Sequence, residues 1–135
     1  MPREIRKFFE SYRDAFNALD GSAIAEFYAE PSGIAQDGTY THWPERKSVV
    51  ENMVALCKMY REQGFIRADF EPRQFIDQGE KYAVADVQWR IDWGSVKDPW
   101  SFKTTYNLVR TARWWKVLLC TAYSEAALFK TASAA

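Results

Sequence analysis

The stretch RWWKVLLCTAYSE, Arg113 to Glu125, sets two adjacent tryptophans and a lysine before an apolar run. Read with a period of two it is a strand. Trp115, Val117, Leu119, Thr121 and Tyr123 fall on one face; Trp114, Lys116, Leu118, Cys120 and Ala122 fall on the other. Lys116 marks the second face as the outer one. A strand with one apolar face needs a layer to cover it, so the fold depends on what the rest of the chain offers.

Working upstream, KYAVADVQWRIDW alternates in the same way. Ala83, Ala85, Val87, Trp89, Ile91 and Trp93 share one side; Tyr82, Val84, Asp86, Gln88, Arg90 and Asp92 share the other. DPWSFKTTYNLVRT places Trp100, Phe102, Thr104, Tyr106 and Leu108 on its apolar side. FIRADFEPRQFIDQ is a further strand, and Pro72 inside it predicts an edge position or a bulge. Earlier, SGIAQDGTYTH reads as two short strands about an Asp37-Gly38 turn.

The N-terminal part is helical. Ile5, Phe8, Phe9, Tyr12, Phe16 and Leu19 recur at helical spacing with charges between them. LDGS ends that helix and supplies Asp20 or Ser22 to cap a second, AIAEFYA, which Pro31 stops. Pro44 suits the first turn of a third helix, whose apolar face is Val49, Val50, Met53, Val54, Cys57 and Tyr60, with Gly64 at its C-terminal end. Three helices with one apolar stripe each, followed by a long sheet with one apolar face, predict an α+β fold: three N-terminal helices packed on a strongly curved mixed or antiparallel sheet.

The 135 residues suit one domain, expected over 1–126, with a flexible C-terminal tail at 127–135. Lysine plus arginine equals aspartate plus glutamate, at 18 each, so no basic footprint for nucleic acid or a membrane surface is present. No apolar segment has the length or flanks of a signal peptide or a membrane span, and a cytoplasmic location is expected. The two cysteines, Cys57 and Cys120, lack metal spacing and are expected as reduced thiols; one histidine cannot complete a zinc set, so neither metal nor cofactor is expected. Aromatic residues reach 16%, which points to a large core, a lined cavity or an interface.

FFESYRDAFNALDGSAIAEFYAEP, DGTYTHWPERKSVVENM and YNLVRTARWWKVLLCTAYSE, in this order, resemble the nuclear transport factor 2-like superfamily, which includes SnoaL-like polyketide cyclases and ketosteroid isomerases. The resemblance implies a cone of sheet wrapped round a helix, open at one end and often dimeric. It is specific for fold and not for activity. By that resemblance Tyr12 stands at the hydrogen-bond donor of the isomerases. Gln36 falls at the position of their base, with Asp37 one residue later. Thr105, Tyr106 and Asn107 stand where a carboxylic acid belongs, so the isomerase set is incomplete. Asp86, Arg90 and Asp92 match the composition of an epoxide hydrolase set, but their parity puts them on the outer face.

The candidate catalytic residues are therefore Tyr12, Asp37 and His42. Asp37 followed by Gly38 is the commonest way to build a tight turn, and the turn-forming reading outweighs the catalytic one. His42, the sole histidine, sits in the helix entry HWPE, where packing or facing water is the main reading and proton transfer the lesser one. The candidate pocket is Phe16, Phe27, Tyr28, Met53, Trp89, Tyr106, Trp115 and Tyr123, with an apolar small molecule as ligand. Two readings stand side by side: a cofactor-independent isomerase, cyclase or hydrolase acting by proton transfer, and a non-catalytic dimeric ligand-binding module. In either, a homodimer is expected through the outer sheet face, near Tyr82, Val84, Arg90, Trp114, Leu118 and Cys120.

Overall fold

A computed structural model describes residues 1–124; the expected tail at 127–135 lies outside the described residues. The chain runs α1 (Arg3–Asn17), α2 (Gly21–Ala25), β1 (Tyr28–Gln36), β2 (Thr39–Trp43), α3 (Arg46–Glu62), β3 (Arg67–Asp77), β4 (Tyr82–Asp92), β5 (Trp100–Arg110) and β6 (Trp115–Tyr123). The helices precede and interrupt the strands as the apolar stripes predict, and the α+β class is as expected. No helix among the described residues is long and apolar enough to cross a membrane.

Local chemistry sets the helix ends. Asp20 caps α2 by accepting from the Ala23 N–H at 3.0 Å. Gly21 is the residue of closest approach to α3: a Cβ there would lie 2.7 Å from the Val54 backbone nitrogen, so only glycine lets the two helices touch. The start of α3 has no cap from its own segment. Instead the Glu30 carboxylate accepts from the Arg46 N–H at 2.5 Å, an anion at a helix N-terminus. At its end, Gly64 with φ of 90° allows the paired closure Gly64 N–H to Arg61 and Phe65 N–H to Tyr60, both to backbone carbonyls.

One helix is shorter than its sequence suggests. AIAEFYA predicts helix through Ala29, yet α2 stops at Ala25 and strand begins at Tyr28. The aromatic pair Phe27-Tyr28 favours extended backbone. The sheet then claims it, with the Val117 N–H donating to the Phe27 carbonyl at 2.7 Å. Here tertiary pairing outweighs a short helical pattern.

The six strands form one mixed sheet in the order β2-β1-β6-β5-β4-β3. All neighbours are antiparallel except β1 and β6, which run parallel. The helices cover one face. Alternation in β4 and β5 is as read: Ala83, Ala85, Val87, Trp89 and Ile91 are buried, as are Trp100, Thr104, Tyr106 and Leu108. β3 is an edge strand, and its register to β4 shifts between Pro72 and Gln74.

The decisive strand, β6, departs from a simple period of two. Leu108 pairs with Val117, but Asn107 pairs with Leu119, leaving Leu118 as an extra residue in a bulge. Trp115 and Val117 face the helices before it. Beyond it the phase reverses: Cys120 pairs with the inward Tyr106 and Ala122 with the inward Thr104. Cys120 is therefore buried rather than on the outer face, while Leu119, Thr121 and Tyr123 turn outward. One inserted residue flips every later side chain.

Candidate functional site

α1, α3 and the sheet enclose a cavity of about 380 Å³. Tyr12 and Phe16 reach it from α1; Met53, Leu56, Met59 and Tyr60 from α3. Trp89, Tyr106, Thr104, Tyr28, Ile34 and Cys120 supply the sheet wall. Gln36, Thr41, Asn52 and Ala122 also line it and stay partly or fully exposed, which puts them at the mouth.

The wall is mostly apolar and carries two small hydrogen-bonded groups. Tyr12 and Tyr28 share a hydrogen bond of 2.8 Å between their phenol oxygens. Tyr28 Oη lies 3.8 Å from Cys120 Sγ, and that thiol donates to the Gly33 carbonyl at 3.9 Å. The Trp89 indole N–H donates to Tyr106 Oη at 2.9 Å, and the Tyr106 ring lies 6.0 Å from that of Tyr12. Burial, the largest effect on each, raises the pKa of Tyr12, Tyr28 and Tyr106 above that of an ordinary phenol. All three keep their protons: within the Tyr12–Tyr28 bond one phenol donates to the other, which leaves one O–H of the pair to donate elsewhere, and Tyr106 accepts from Trp89 while keeping its own O–H. The described lining residues include no carboxylate, histidine, lysine or arginine, so nothing in the wall offsets a ligand charge.

Tyr12, Phe16, Tyr28, Met53, Trp89 and Tyr106 meet in the cavity as the sequence predicts. Five other candidates lie elsewhere. Phe27 packs behind the wall, against Phe8 at 5.5 Å and Tyr12 at 5.6 Å. Trp115 is buried at the other end of the sheet, beneath the Arg110 guanidinium at 5.3 Å. Tyr123, turned outward by the bulge, donates to the Asp86 carboxylate at 2.5 Å, which raises the phenol's pKa. Asp37 is exposed in the β1–β2 turn with φ of 50°, its turn-forming role. His42 is exposed and its Nδ1 lies 3.0 Å from Tyr40 Oη. Strand pairing explains its direction: Thr41 pairs with the inward Ile34, so its neighbour His42 points away.

Sequence reasoning passed over several lining residues. Gln36 carried a signal, since the family resemblance placed it at the base position. Cys120 and Ala122 carried none without the bulge. Among the described residues no cluster of His, Cys, Asp and Glu is grouped to hold a metal ion. A larger cleft of about 670 Å³ lies at the far end, bordered by the first turn of α1 and two strand turns. Its polar lining is the solvent-facing Glu4–Arg110 ion pair, turn and strand-end residues and the single buried indole N–H of Trp115; the tyrosine cavity, with its several buried hydrogen-bonded phenols, is the candidate site.

Both thiols are free and buried. Burial lifts the Cys120 pKa to about 12 and raises that of Cys57. Almost no thiolate then exists near neutral pH, and the thiolate is the nucleophile. An alkylating reagent applied to the native protein at about pH 8 is expected to leave both unmodified over a period that labels the urea-unfolded chain fully. Rapid native labelling of Cys120, mapped by mass spectrometry, would contradict its inward direction.

The family model for NTF2-like protein (DUF6841) matches residues 3–125. The chain belongs to this NTF2-like family. No functionally curated protein matches it. Among solved structures, this NTF2-like chain is similar to an NTF-2 like protein of unknown function from Shewanella oneidensis, with 16% identity, 88% of this chain and 95% of that one covered, and a TM-score of 0.73. It is also similar to a ketosteroid isomerase-like protein from Erwinia carotovora atroseptica, at 13% identity, coverage of 88% and 92%, and a TM-score of 0.68. A third likeness is to a putative calcium/calmodulin-dependent protein kinase type II association domain from Thiobacillus denitrificans, at 16% identity, coverage of 87% and 91%, and a TM-score of 0.71. At these identities the likenesses establish the fold, and relatives with such different descriptions leave the function to the site itself.

Proposed function

We propose that this NTF2-like protein binds a small, uncharged, largely apolar molecule through one acceptor oxygen held at the Tyr12–Tyr28 phenol pair. The observation that carries the reading is that pair, 2.8 Å apart inside a cavity whose described lining is largely apolar and uncharged. Buried phenols with raised pKa values present protons, so they select a carbonyl, lactone or epoxide oxygen over a hydrocarbon. The absence of cationic groups among the described lining residues disfavours a carboxylate ligand. A cavity of about 380 Å³ suits a compact ligand at the small end of the usual pocket range.

Binding is the reading the wall supports best. One phenol of the pair donating to a carbonyl oxygen, itself supported by the second phenol, would stabilise a developing oxyanion, which is half of an enolising site. The other half, a base within reach of the substrate, is not supplied by Asp37 or His42, which stand outside the cavity. Gln36, which does line it, cannot accept a proton at neutral pH.

Isothermal titration with a panel of apolar cyclic ketones, lactones and epoxides tests the proposal, with matched hydrocarbons and carboxylates as controls. Tyr12→Phe and Tyr28→Phe are each expected to weaken a ketone about tenfold, the worth of roughly one hydrogen bond. Affinity for the matched hydrocarbon should stay the same. Equal binding of ketone and hydrocarbon by the wild type, or a preference for carboxylates, would refute the site.

A further inference from the structure

The Tyr12–Tyr28 bond uses one of the two phenol protons, and only the other is left for a ligand. Which phenol keeps the free O–H fixes where the acceptor oxygen of the ligand must sit. The two hydroxyls differ in their surroundings. Among the described residues Tyr12 Oη is within hydrogen-bond length of Tyr28 Oη alone, at 2.8 Å. Tyr28 Oη has a second neighbour, Cys120 Sγ, at 3.8 Å. Cys120 is buried in the cavity wall, on the face to which the bulge in β6 turns it.

The thiol competes poorly for the Tyr28 proton. Its own hydrogen is directed at the Gly33 carbonyl, 3.9 Å away, and sulfur is a weak acceptor. The Tyr12 oxygen stands at the normal length of an O–H···O bond, so the Tyr28 proton goes there. The Tyr12 O–H then has no acceptor among the described residues of the wall. Electrostatics run the same way. Burial is the largest influence on both phenols, but their shared bond lowers the pKa of Tyr12 and raises that of Tyr28, the sense expected when Tyr28 donates.

We propose that Cys120 is a specificity-determining residue of the cavity: as a poor acceptor behind Tyr28 it leaves the Tyr28 proton to Tyr12, and so leaves the Tyr12 O–H to the ligand. This rests on the binding reading above and adds a direction to it. Cys120 acts through Tyr28, as a positioning residue. A bound carbonyl reinforces the arrangement, because each donated proton polarises the next bond along the row. A strong acceptor at position 120 would cancel it, and asparagine is the acceptor that fits. Its side chain is one atom longer than the thiol, and the gaps of 3.8 and 3.9 Å exceed an ordinary hydrogen bond by about 1 Å. The amide N–H reaches the Gly33 carbonyl while the amide oxygen accepts from Tyr28. Tyr28 would then accept from Tyr12, and the pair would have no O–H left for the cavity.

Two measurements test this, one of them without a ligand. With tyrosine isotope-labelled at Cζ, NMR correlates each buried hydroxyl proton with its own ring. The proton lying between the two phenol oxygens should belong to Tyr28 in the wild type and to Tyr12 in Cys120→Asn. In titration calorimetry Cys120→Asn should weaken an apolar cyclic ketone at least tenfold, roughly the worth of one hydrogen bond, and leave the matched hydrocarbon within about threefold. In the Tyr28→Phe background there is no relay to reverse, and the same change should cost less than about threefold more. A shared proton that belongs to Tyr12 in the wild type, or one that stays on Tyr28 in Cys120→Asn, overturns the proposal. So does an equal loss for ketone and hydrocarbon, or an equal loss with and without the Tyr28 hydroxyl, since either would make the substitution a steric block. If Cys120→Asn does not fold, the wild-type proton assignment still supports or overturns the direction. If the wild type binds ketone and hydrocarbon alike, the binding reading fails, and the proton assignment judges the direction by itself.

Discussion

Above about pH 10 the three cavity phenols are expected to lower stability by roughly 4 kcal/mol per pH unit, on top of the buried thiols. Tyr12, Tyr28 and Tyr106 are held above the ordinary phenol value of 10.0, chiefly by burial. The sign follows from proton counting. Below about pH 10 both folded and unfolded chains keep the phenol protons, and these three groups leave stability unchanged; the raised thiols act in the same direction from about one unit lower. Above it the unfolded chain releases them while the folded chain retains them, so the unfolded state gains as pH rises. Each retained proton contributes a slope of about 1.4 kcal/mol per pH unit, and three give the figure above. With a typical domain stability of about 5–15 kcal/mol, little would remain some two to three units beyond pH 10. Urea unfolding at a series of alkaline pH values, followed by far-UV dichroism, measures the slope. Tyr12→Phe removes one retained proton and should reduce it by about a third. If tyrosinate absorbance from these three rings develops while the dichroism stays native, the cavity phenols are not buried as described.

Trp93→Ala is expected to destabilise the fold by about 3–5 kcal/mol, the range for losing a large buried aromatic side chain. Trp93 is fully buried at the end of β4. Its ring meets Tyr60 at 5.6 Å and Phe65 at 6.4 Å, and Lys97 Nζ lies 4.3 Å above it. Those rings continue through Phe16 into the cavity wall, with Phe16 5.3 Å from Tyr60. The substitution therefore empties the support behind the binding site. Trp93→Phe provides the contrast. The indole nitrogen of Trp93 is buried with no hydrogen-bond partner, so the smaller ring removes an unsatisfied donor as well as some packing. Its expected cost is under half that of alanine. Urea midpoints for the two variants decide the matter; equal losses would mean that ring packing is not what Trp93 provides.

Much of this architecture is legible in periodicity. α1 is readable because its stripe, Ile5 to Phe16, matches a helix over its whole length. β4 and β5 are readable because strict alternation over eleven residues fits a half-buried strand and breaks the period of a helix. Pro72 announces the irregular edge because a proline cannot serve a central ladder. Tyr12, Phe16, Tyr28, Met53, Trp89 and Tyr106 then follow as inward residues. What escapes depends on non-local pairing. Phe27 and Tyr28 become strand because β6 arrives beside them. Asp37 and His42 draw notice for their chemistry, yet the β1–β2 register turns His42 outward and leaves Asp37 in the turn. Gln36, chemically plain, is the residue that reaches the cavity.

The bulge at Leu118 amounts to a shift in counting. Without it, the same letters would continue in their first phase and send Leu119, Thr121 and Tyr123 towards the helices. Two large side chains and a hydroxyl would stand where a thiol and a methyl group stand now. The hollow exists because β6 skips a beat before it reaches Tyr106. Any grafting of cavity residues between this chain and a relative must therefore offset the strand by one position after Leu118. For evolution the same fact separates length from phase: loss of the single codon for Leu118 would straighten the strand and leave Cys120 and Ala122 facing the hollow, because the residue removed is the extra one.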